Sequence, residues 1–220
     1  MRTCGKTCGL TRRSTGPADG SLLSSRASVA AGRLTQALGF VIASTPMIVR
    51  SAVASDAPAI LRIYAPVVRE TAISFELEPP TLEEMIARIE RCTAKWSWLV
   101  AEEAGCLLGY AYGASHRERA AYQWSTEVSA YVAEEAKGRG VGRSLYNALF
   151  PSLAGRGYFN AYAGIALPNE ASVKFHEALG FQSIGIFPSV GFKHGAWRDV
   201  GWFHKPLRQP ATPSRAPSEA

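Results

Sequence analysis

The residues best suited to chemistry lie in one stretch, 124–143, which reads WSTEVSAYVAEEAKGRGVGR. Its first part has the character of a β-strand and contains one acid, Glu127. Its last part is rich in glycine and arginine, and an apolar helical pattern follows at once. A strand that leads through a glycine-rich turn into a helix presents free backbone N–H groups and the positive end of the helix dipole, which together bind anions such as phosphate. The same pattern also fits a tight strand–helix connection.

The elements around this stretch follow from apolar periodicity and from helix caps. The predicted order is β, α, α, β, β, β, α, β, α, β, β, which indicates an α/β fold with a mixed, mostly antiparallel sheet flanked by helices. One β-loop-α-β crossover, expected to be parallel and right-handed, contains the glycine-rich turn. Thr81 and Glu84 form a capping box that begins the second helix, which we expect to end near Arg91. Pro66 is expected to kink or end the first helix, and Pro151 to bend the third.

Length and composition place the chain among ordinary globular proteins. Its 220 residues, 47% of them hydrophobic, suffice for one domain with a sizeable core. The formal net charge is +6, but residues 1–46 hold six basic residues and one acid, so the remainder is nearly neutral. Nucleic-acid binding requires basic residues clustered on the folded domain, so we expect no nucleic-acid partner. The apolar run 37–43 is too short to span a bilayer, so we expect no membrane partner either.

The segment 1–46 differs in composition from the rest of the chain. It is rich in serine and arginine and poor in acids, which is typical of organellar transit peptides. A disordered extension, or a misassigned start with Met47 as the true first residue, explains the same composition and is the interpretation that we prefer. We therefore predict a cytoplasmic protein with a folded domain over 47–207 and a flexible tail over 208–220.

Cysteine and histidine are too sparse and too scattered for a metal centre or a disulfide framework. Cys4 and Cys8 lie in the segment 1–46, whereas Cys92 and Cys106 lie in the body of the chain. No second cysteine pair completes a zinc site. We therefore predict no metal, and a reducing compartment.

Four segments resemble the GNAT superfamily of N-acetyltransferases, and within it the phosphinothricin acetyltransferase group. The glycine-rich turn matches the superfamily's Gln/Arg-x-x-Gly-x-Gly/Ala pyrophosphate loop, with Lys137 in place of Gln or Arg. It has neither the Walker spacing nor the dinucleotide spacing. The other matching segments are the strand 124–132, the segment 167–181 and the C-terminal hairpin segment 191–200. The resemblance covers residues 47 to about 207 and leaves out the N-terminal segment.

The resemblance implies a GNAT-like sheet that binds acetyl-CoA at the crossover. It also implies direct transfer of the acetyl group to the amine of a small amino-acid-like acceptor, such as phosphinothricin, methionine sulfoximine or methionine sulfone, and a homodimer. The residues that it places at acetyl-CoA are Ala130, Tyr131, Val132, Lys137, Gly138, Arg139, Gly140, Val141, Gly142, Arg143 and Asn169. Asn169 is also a plausible helix cap on its residue type alone.

Two side chains are candidates for proton transfer in such a reaction. An ammonium group must lose a proton before it attacks a thioester, and Glu127 can accept that proton directly or through water. An exposed strand residue is the competing interpretation of Glu127. His176 occupies the position at which many GNAT enzymes have a tyrosine, and it could protonate the leaving thiolate. A histidine that only packs within its helix is the alternative for His176.

The acceptor site is predicted from charge and aromatic character. Arg117 and Arg119 precede the central strand and could bind the oxyanions of an anionic acceptor, because a guanidinium binds such groups in bidentate fashion. Phe75 and Tyr131 are candidate pocket walls, with core packing as the alternative for Phe75. Two other functions stay open at this point: a protein N-terminal or ribosomal-protein acetyltransferase, and a non-catalytic acetyl-CoA-binding regulatory module.

Overall fold

The computed structural model describes residues 45–209, 211–213 and 215–217. All but the last two residues of the predicted N-terminal extension lie outside the described residues, as do Cys4 and Cys8. Within the described part, the elements follow the predicted order, from the first strand at Ile48 to the last strand ending at Pro206. They are β1 (Ile48–Ser51), α1 (Ala57–Glu70), α2 (Leu82–Lys95), β2 (Trp98–Glu103), β3 (Cys106–Ser115), β4 (Ser125–Val132), α3 (Val141–Gly155), β5 (Asn160–Leu167), α4 (Glu170–Glu177), β6 (Gln182–Lys193) and β7 (Ala196–Pro206).

The strands form one seven-stranded sheet in the order β1-β2-β3-β4-β5-β7-β6. Neighbouring strands are antiparallel, with the exception of β4 and β5, which are parallel. This confirms the predicted mixed, mostly antiparallel sheet with one parallel crossover through α3. It also places the crossover, and the glycine-rich turn within it, at the centre of the sheet.

Each face of the sheet carries its own hydrophobic core. On one face α3 buries Leu145, Leu149 and Leu153 without exposed surface, and full burial of each leucine side chain contributes about 1.5–3 kcal/mol. On the other face α1 and α2 pack over Trp98, Val100 and Tyr110. Successive strand residues point to opposite faces, so β4 contributes Val128 to the α3 core and Tyr131 to the α1/α2 core.

One helix boundary differs from the predicted one, and two helices contain an internal proline. α1 continues through Pro66 and ends at Glu70. α2 runs to Lys95, one turn past Arg91, because Cys92 extends its buried stripe. The predicted capping box of α2 is present, with Thr81 and Glu84 each bonding the other's backbone N–H. α3 continues through Pro151 to Gly155. None of the helices in the described part of the chain is long and apolar enough to cross a membrane.

Candidate active site

The two central strands form a fork. β4 and β5 pair at three successive positions, of which the last joins Glu127 to Tyr162. Beyond that position the two strands, both fully described, continue to Val132 and Leu167 without pairing. Their outer edges are paired with β3 and β7, so the edges that face one another across the gap keep backbone donors and acceptors without a strand partner. An elongated ligand with amide groups can bind in such a gap by adding hydrogen bonds of the β type.

The glycine-rich turn lies at the open end of the fork, where α3 begins. Gly138 and Gly140 have φ angles of 76° and 80°, a left-handed conformation that glycine adopts without steric cost. Gly140 is the N-cap of α3, and no side chain caps the helix there. Buried Ala136 and Val141 fix the turn on the core at both ends. The first turn of α3 therefore presents backbone N–H groups and the positive end of its dipole without a side-chain cap, while the binding of an anion there stays a prediction.

The cations of this turn have acidic neighbours. Lys137 is paired with Glu134, and Arg139 with Glu103 at 2.6 Å. Both pairs are substantially exposed to solvent, where an ion pair contributes little to stability. Arg143 lies exposed in the first turn of α3. These cations remain accessible to an anionic ligand at the helix N-terminus.

Glu127 lies at the closed end of the fork, at the last position where β4 and β5 pair. Its side chain is 34% exposed, and its Oε1 accepts a hydrogen bond from Nδ1 of His116 at 3.1 Å. Burial raises the pKa of the Glu127 carboxyl above its ordinary value, while His116 and Arg117 act in the opposite direction. A carboxyl group with a raised pKa at a fork that can hold a ligand is suited to accept a proton near neutral pH.

His116 is a site residue that the sequence did not reveal. It lies in the loop 116–121, which composition describes only as basic, and 11 positions before Glu127. Nothing in its local sequence distinguishes it from a solvated loop residue. The antiparallel pairing of Ala114 with Glu127 turns the loop back over the carboxylate and produces the contact.

His176 is buried, with 6% of its surface exposed. Its Nδ1 lies 2.8 Å from the carbonyl oxygen of Ser172, and its Nε2 lies 3.2 Å from the hydroxyl of Tyr146. Both contacts are satisfied when Nδ1 donates and Nε2 accepts, and burial lowers the pKa of the ring. In this arrangement the neutral ring presents no free N–H. The proton-donor role of His176 stays a prediction, and any donation would have to pass through Tyr146 or a changed tautomer.

Asn169 follows β5 at the other side of the fork. Its Oδ1 accepts a hydrogen bond from the backbone N–H of Ser172 at 3.1 Å, so it caps α4 as its residue type predicts. Gly142 allows α3 and α4 to lie close together, since a methyl group there would be 3.0 Å from Phe175. The predicted contact of Asn169 with acetyl-CoA stays a prediction.

The face of the sheet that carries Glu127 also carries a small cavity of about 180 Å³. It reaches Ala114, the residue opposite Glu127 in the β3–β4 ladder. Its remaining walls come from α1, α2, the α2–β2 connection, β2 and β3: Tyr64, Met85, Arg88, Arg91, Cys92, Trp96, Trp98, Tyr110, Tyr112 and Gly113. Tyr131 packs edge-on against Tyr64 at 5.1 Å, so its ring belongs to the same aromatic cluster.

The other predicted acceptor residues, Arg117, Arg119 and Phe75, do not line this cavity. Arg117 is exposed, with its guanidinium 5.9 Å from the ring of Trp202, and it is near enough to Glu127 to lower the pKa of that carboxyl. Arg119 is exposed in the same loop. Phe75 is 39% exposed and lies directly over Gly191, where an added methyl group would be 2.2 Å from the ring. Phe75 is therefore a surface side chain of the α1–α2 loop rather than a core residue.

Lys193 anchors the loop that carries Phe75. It is only 4% exposed, and its Nζ donates hydrogen bonds of 2.7 Å to the carbonyl oxygens of Val68, Ser74 and Glu76. Two of these three acceptors flank Phe75 in the chain. The end of β6 thus holds the α1–α2 loop in place, although the two segments are more than 100 residues apart. The sequence motif contains Lys193 but gives no indication of this contact.

Replacing Lys193 with methionine should loosen the α1–α2 loop. The variant keeps the side-chain volume but leaves three carbonyl groups without their charged donor, so we expect a loss of about 2–4 kcal/mol in the free energy of unfolding. With the substrates that the family resemblance implies, the KM for the acceptor should rise at least about fivefold, while the affinity for acetyl-CoA stays unchanged. Urea unfolding and steady-state kinetics measure both effects.

His194→Ala is the matched control for that experiment. His194 directly follows Lys193 in the chain. Its Nε2 lies 3.1 Å from the carbonyl oxygen of Thr71, and this contact is exposed. Its removal should change stability by less than about 1 kcal/mol, as surface substitutions usually do. Equal effects of the two substitutions would contradict the anchoring role of Lys193.

Comparison with known proteins gives a consistent result. The model of the GNAT acetyltransferase domain family matches residues 49–202. A phosphinothricin N-acetyltransferase of Streptomyces viridochromogenes is 37% identical over 76% of this chain and 92% of its own. An L-methionine sulfoximine/L-methionine sulfone acetyltransferase of Salmonella typhimurium is 32% identical over 76% of this chain and 98% of its own.

Solved structures show the same architecture. A phosphinothricin acetyltransferase from Sinorhizobium meliloti, in complex with acetyl-CoA, superposes with a TM-score of 0.72 at 34% identity, over 77% of this chain and 92% of that one. A ribosomal-protein-alanine N-acetyltransferase from Brucella melitensis superposes with a TM-score of 0.68 at 33% identity, over 72% of this chain and 99% of that one.

Proposed function

Since this chain belongs to the GNAT family of N-acetyltransferases, we propose that it acetylates the amine of a small amino-acid-like acceptor with acetyl-CoA. Phosphinothricin, methionine sulfoximine and methionine sulfone are the acceptor types, as the names of its relatives suggest. The observation that carries the proposal is the position of Glu127, at the point where β4 and β5 separate and beside the small cavity.

The fork and the turn fit the parts of acetyl-CoA. The diphosphate would bind at the N-terminus of α3, to the backbone of the residues between Gly138 and Arg143. The pantetheine amides would bond the unpaired edge of β4 at Ala130, Tyr131 and Val132. Asn169 would contact the cofactor from the β5 side. This arrangement directs the thioester toward Glu127.

Direct transfer then follows from ordinary proton chemistry. Glu127 takes a proton from the acceptor ammonium, and the free amine attacks the thioester carbonyl carbon. A C–N bond forms, the C–S bond breaks, and the CoA thiolate leaves and takes up a proton. Holding the two substrates in one gap removes most of the entropy cost of bringing them together.

A small acceptor suits this site better than a protein N-terminus. The cavity of about 180 Å³ is below the 300–1,000 Å³ of typical ligand pockets. Arg117 lies near enough to Glu127 to lower the pKa of its carboxyl, so an acceptor carboxylate would find a cation close to the base. The ribosomal-protein alternative is supported by the name of one structural neighbour. The regulatory alternative does not explain why a partly buried acid lies where the two strands separate.

An acceptor panel tests the proposed function. Release of free thiol from acetyl-CoA is followed with phosphinothricin, methionine sulfoximine, methionine sulfone, a polyamine and a peptide with N-terminal alanine. We expect the highest kcat/KM among the first three. Preference for the peptide would favour the ribosomal-protein alternative, and no turnover with acetyl-CoA bound would favour the regulatory one. The cytoplasmic location predicted from the sequence stays a prediction.

We further propose that the protein is a homodimer whose interface includes the edge of the sheet formed by β6. β6 is the edge strand, and four of its apolar side chains are half exposed or more: Ile184, Ile186, Val190 and Phe192. Such a row on an edge strand favours association with a second copy, because a dimer would cover both the free backbone groups of that edge and the apolar side chains. The homodimer implied by the family resemblance thus has a candidate surface.

Replacing both Ile184 and Ile186 with glutamate should convert a dimer into a monomer. The two residues are each 56% exposed, so the folded monomer should tolerate the change, whereas two carboxylates per copy cannot be buried in an interface. Light scattering at micromolar concentration should show a mass near twice 23.7 kDa for the parent and near that value for the variant. Ile48→Glu, at the opposite edge with 51% exposure, is the control and should stay dimeric. A monomeric parent would contradict the proposal.

A further inference from the structure

We propose that His116 is a positioning residue for acetyl transfer, which holds the Glu127 carboxylate through Oε1 and leaves Oε2 to accept the proton of the acceptor amine. The inference rests on the proposed role of Glu127 as the base. It assigns a function to a loop histidine outside all four segments that carry the family resemblance.

The hydrogen bond defines which oxygen is available. Nδ1 of His116 lies 3.1 Å from Oε1 of Glu127, and a carboxylate can only accept, so His116 donates. In the described part of the chain no other hydrogen bond reaches the Glu127 side chain, and Oε2 is therefore without a protein partner. A proton from a bound ammonium group would be accepted there, and the carboxylate plane would not need to turn.

An aromatic wall fixes the His116 ring in this position. The ring stacks on Tyr162 with centroids 4.3 Å apart and an interplanar angle of 11°. Trp202 and Tyr122 approach its edge at 6.1 Å and 5.9 Å. The His116 side chain is only 12% exposed as a result. Because Tyr162 is also the pairing partner of Glu127 at the fork, the base and its hydrogen-bond donor share one support.

The hydrogen bond from His116 affects the protonation state of the partly buried Glu127 carboxylate. Burial favours the protonated, inactive form of Glu127 and raises its pKa, whereas the His116 hydrogen bond favours the ionised form. Arg117, from the same loop, also favours the ionised form. Tyr122 and Tyr162 are the other titratable groups in ring contact with His116 in the described part of the chain, and the ring centroid of His204 lies 5.0 Å from that of Tyr162. Removing the donor should therefore keep Glu127 protonated up to a higher pH.

Two substitutions of His116 distinguish the effect of its hydrogen bond to Glu127 from the effect of its ring packing. His116→Phe keeps a ring that can stack on Tyr162 but removes the donor. His116→Asn removes the ring but keeps an N–H near the position of Nδ1. Since a hydrogen bond to a charged group is worth about a factor of ten or more, kcat at pH 7 should fall about tenfold or more in the Phe variant. The Asn variant should stay within about threefold of the parent by the same reasoning.

The pH–rate profile gives a readout that loss of packing would not change. The acid limb of kcat/KM should move to higher pH in His116→Phe and stay in place in His116→Asn, because the base must be deprotonated to work. When Glu127 has already been replaced with glutamine, adding His116→Phe should lower kcat by less than about a further twofold, since the two side chains act as one unit. Acetyl-CoA affinity, measured by calorimetry, should be unchanged throughout.

The outcomes distinguish this inference from the proposed function. Equal losses in the Phe and Asn variants, or a Phe variant as active as the parent with an unmoved acid limb, would overturn the positioning role. A Glu127→Gln variant with near-normal activity would instead overturn the base assignment itself. If His116→Phe does not fold, His116→Leu removes the donor in its place, and the same comparison with His116→Asn applies.

Discussion

Replacing Glu127 with glutamine is expected to lower kcat at pH 7 by about 10²- to 10⁴-fold, the usual effect of removing a positioned general base. Glutamine keeps the shape of the side chain, so acetyl-CoA affinity and fold should not change. The deficit should shrink as pH rises, because free amine then forms without help from the enzyme. In the parent enzyme, kcat/KM should decline as the pH falls through the raised pKa of Glu127. A pH–rate profile of both proteins with one good acceptor measures these effects.

The control is Glu118→Gln, which removes the same charge from an exposed position in the adjacent loop. It should leave kcat within about twofold, as expected for a surface change away from the chemistry. If Glu127→Gln raises KM with kcat near normal, Glu127 is an ammonium-binding residue rather than the base. A Glu127→Gln variant within about threefold of the parent at pH 7 would rule out the base, for which a far larger loss is typical.

Replacing Gly140 with aspartate should weaken acetyl-CoA binding by at least about 100-fold. The new carboxylate would lie at the N-cap of α3, where the diphosphate is proposed to bind. Two like charges about 4 Å apart repel by about 1–4 kcal/mol between water and a protein surface, and a diphosphate carries more than one charge. Gly140 has a φ of 80°, so the aspartate adds backbone strain as well as charge, and the two effects have to be separated. Calorimetric titration with acetyl-CoA measures the change in Kd.

Two matched variants separate charge from backbone strain. Gly105→Asp introduces the same residue at a φ of 78°, in the β2–β3 turn, where an added Cβ would meet no atom within 4 Å. It should bind acetyl-CoA normally. Gly140→Asn has the shape of the aspartate without its charge and should recover most of the affinity. Unchanged binding by folded Gly140→Asp would contradict the diphosphate site at the start of α3.

Local patterns in the chain predicted the elements and the glycine-rich turn at the start of α3. The capping box of Thr81 and Glu84, the glycine-rich turn at 138–142 and the cap at Asn169 each depend on residues within a few positions of one another. Their hydrogen bonds close within a single turn of helix, so residue type and spacing suffice to predict them. The element order, and with it the place of Glu127 in the strand ahead of the turn, was predictable because apolar periodicity is also a local pattern.

The partners of the key side chains could not be predicted in this way, because they depend on how distant segments pack. His116 is ordinary in its own loop, and it becomes a donor to Glu127 only when β3 and β4 pair and Tyr162 of β5 supports the ring. Lys193 reaches the α1–α2 loop only through the β6–β7 hairpin. His176 has its Nε2 within hydrogen-bond distance of Tyr146 only because α4 packs on α3. Such contacts carry no local signature, since a buried polar group takes whichever partner the packed fold brings within hydrogen-bond distance.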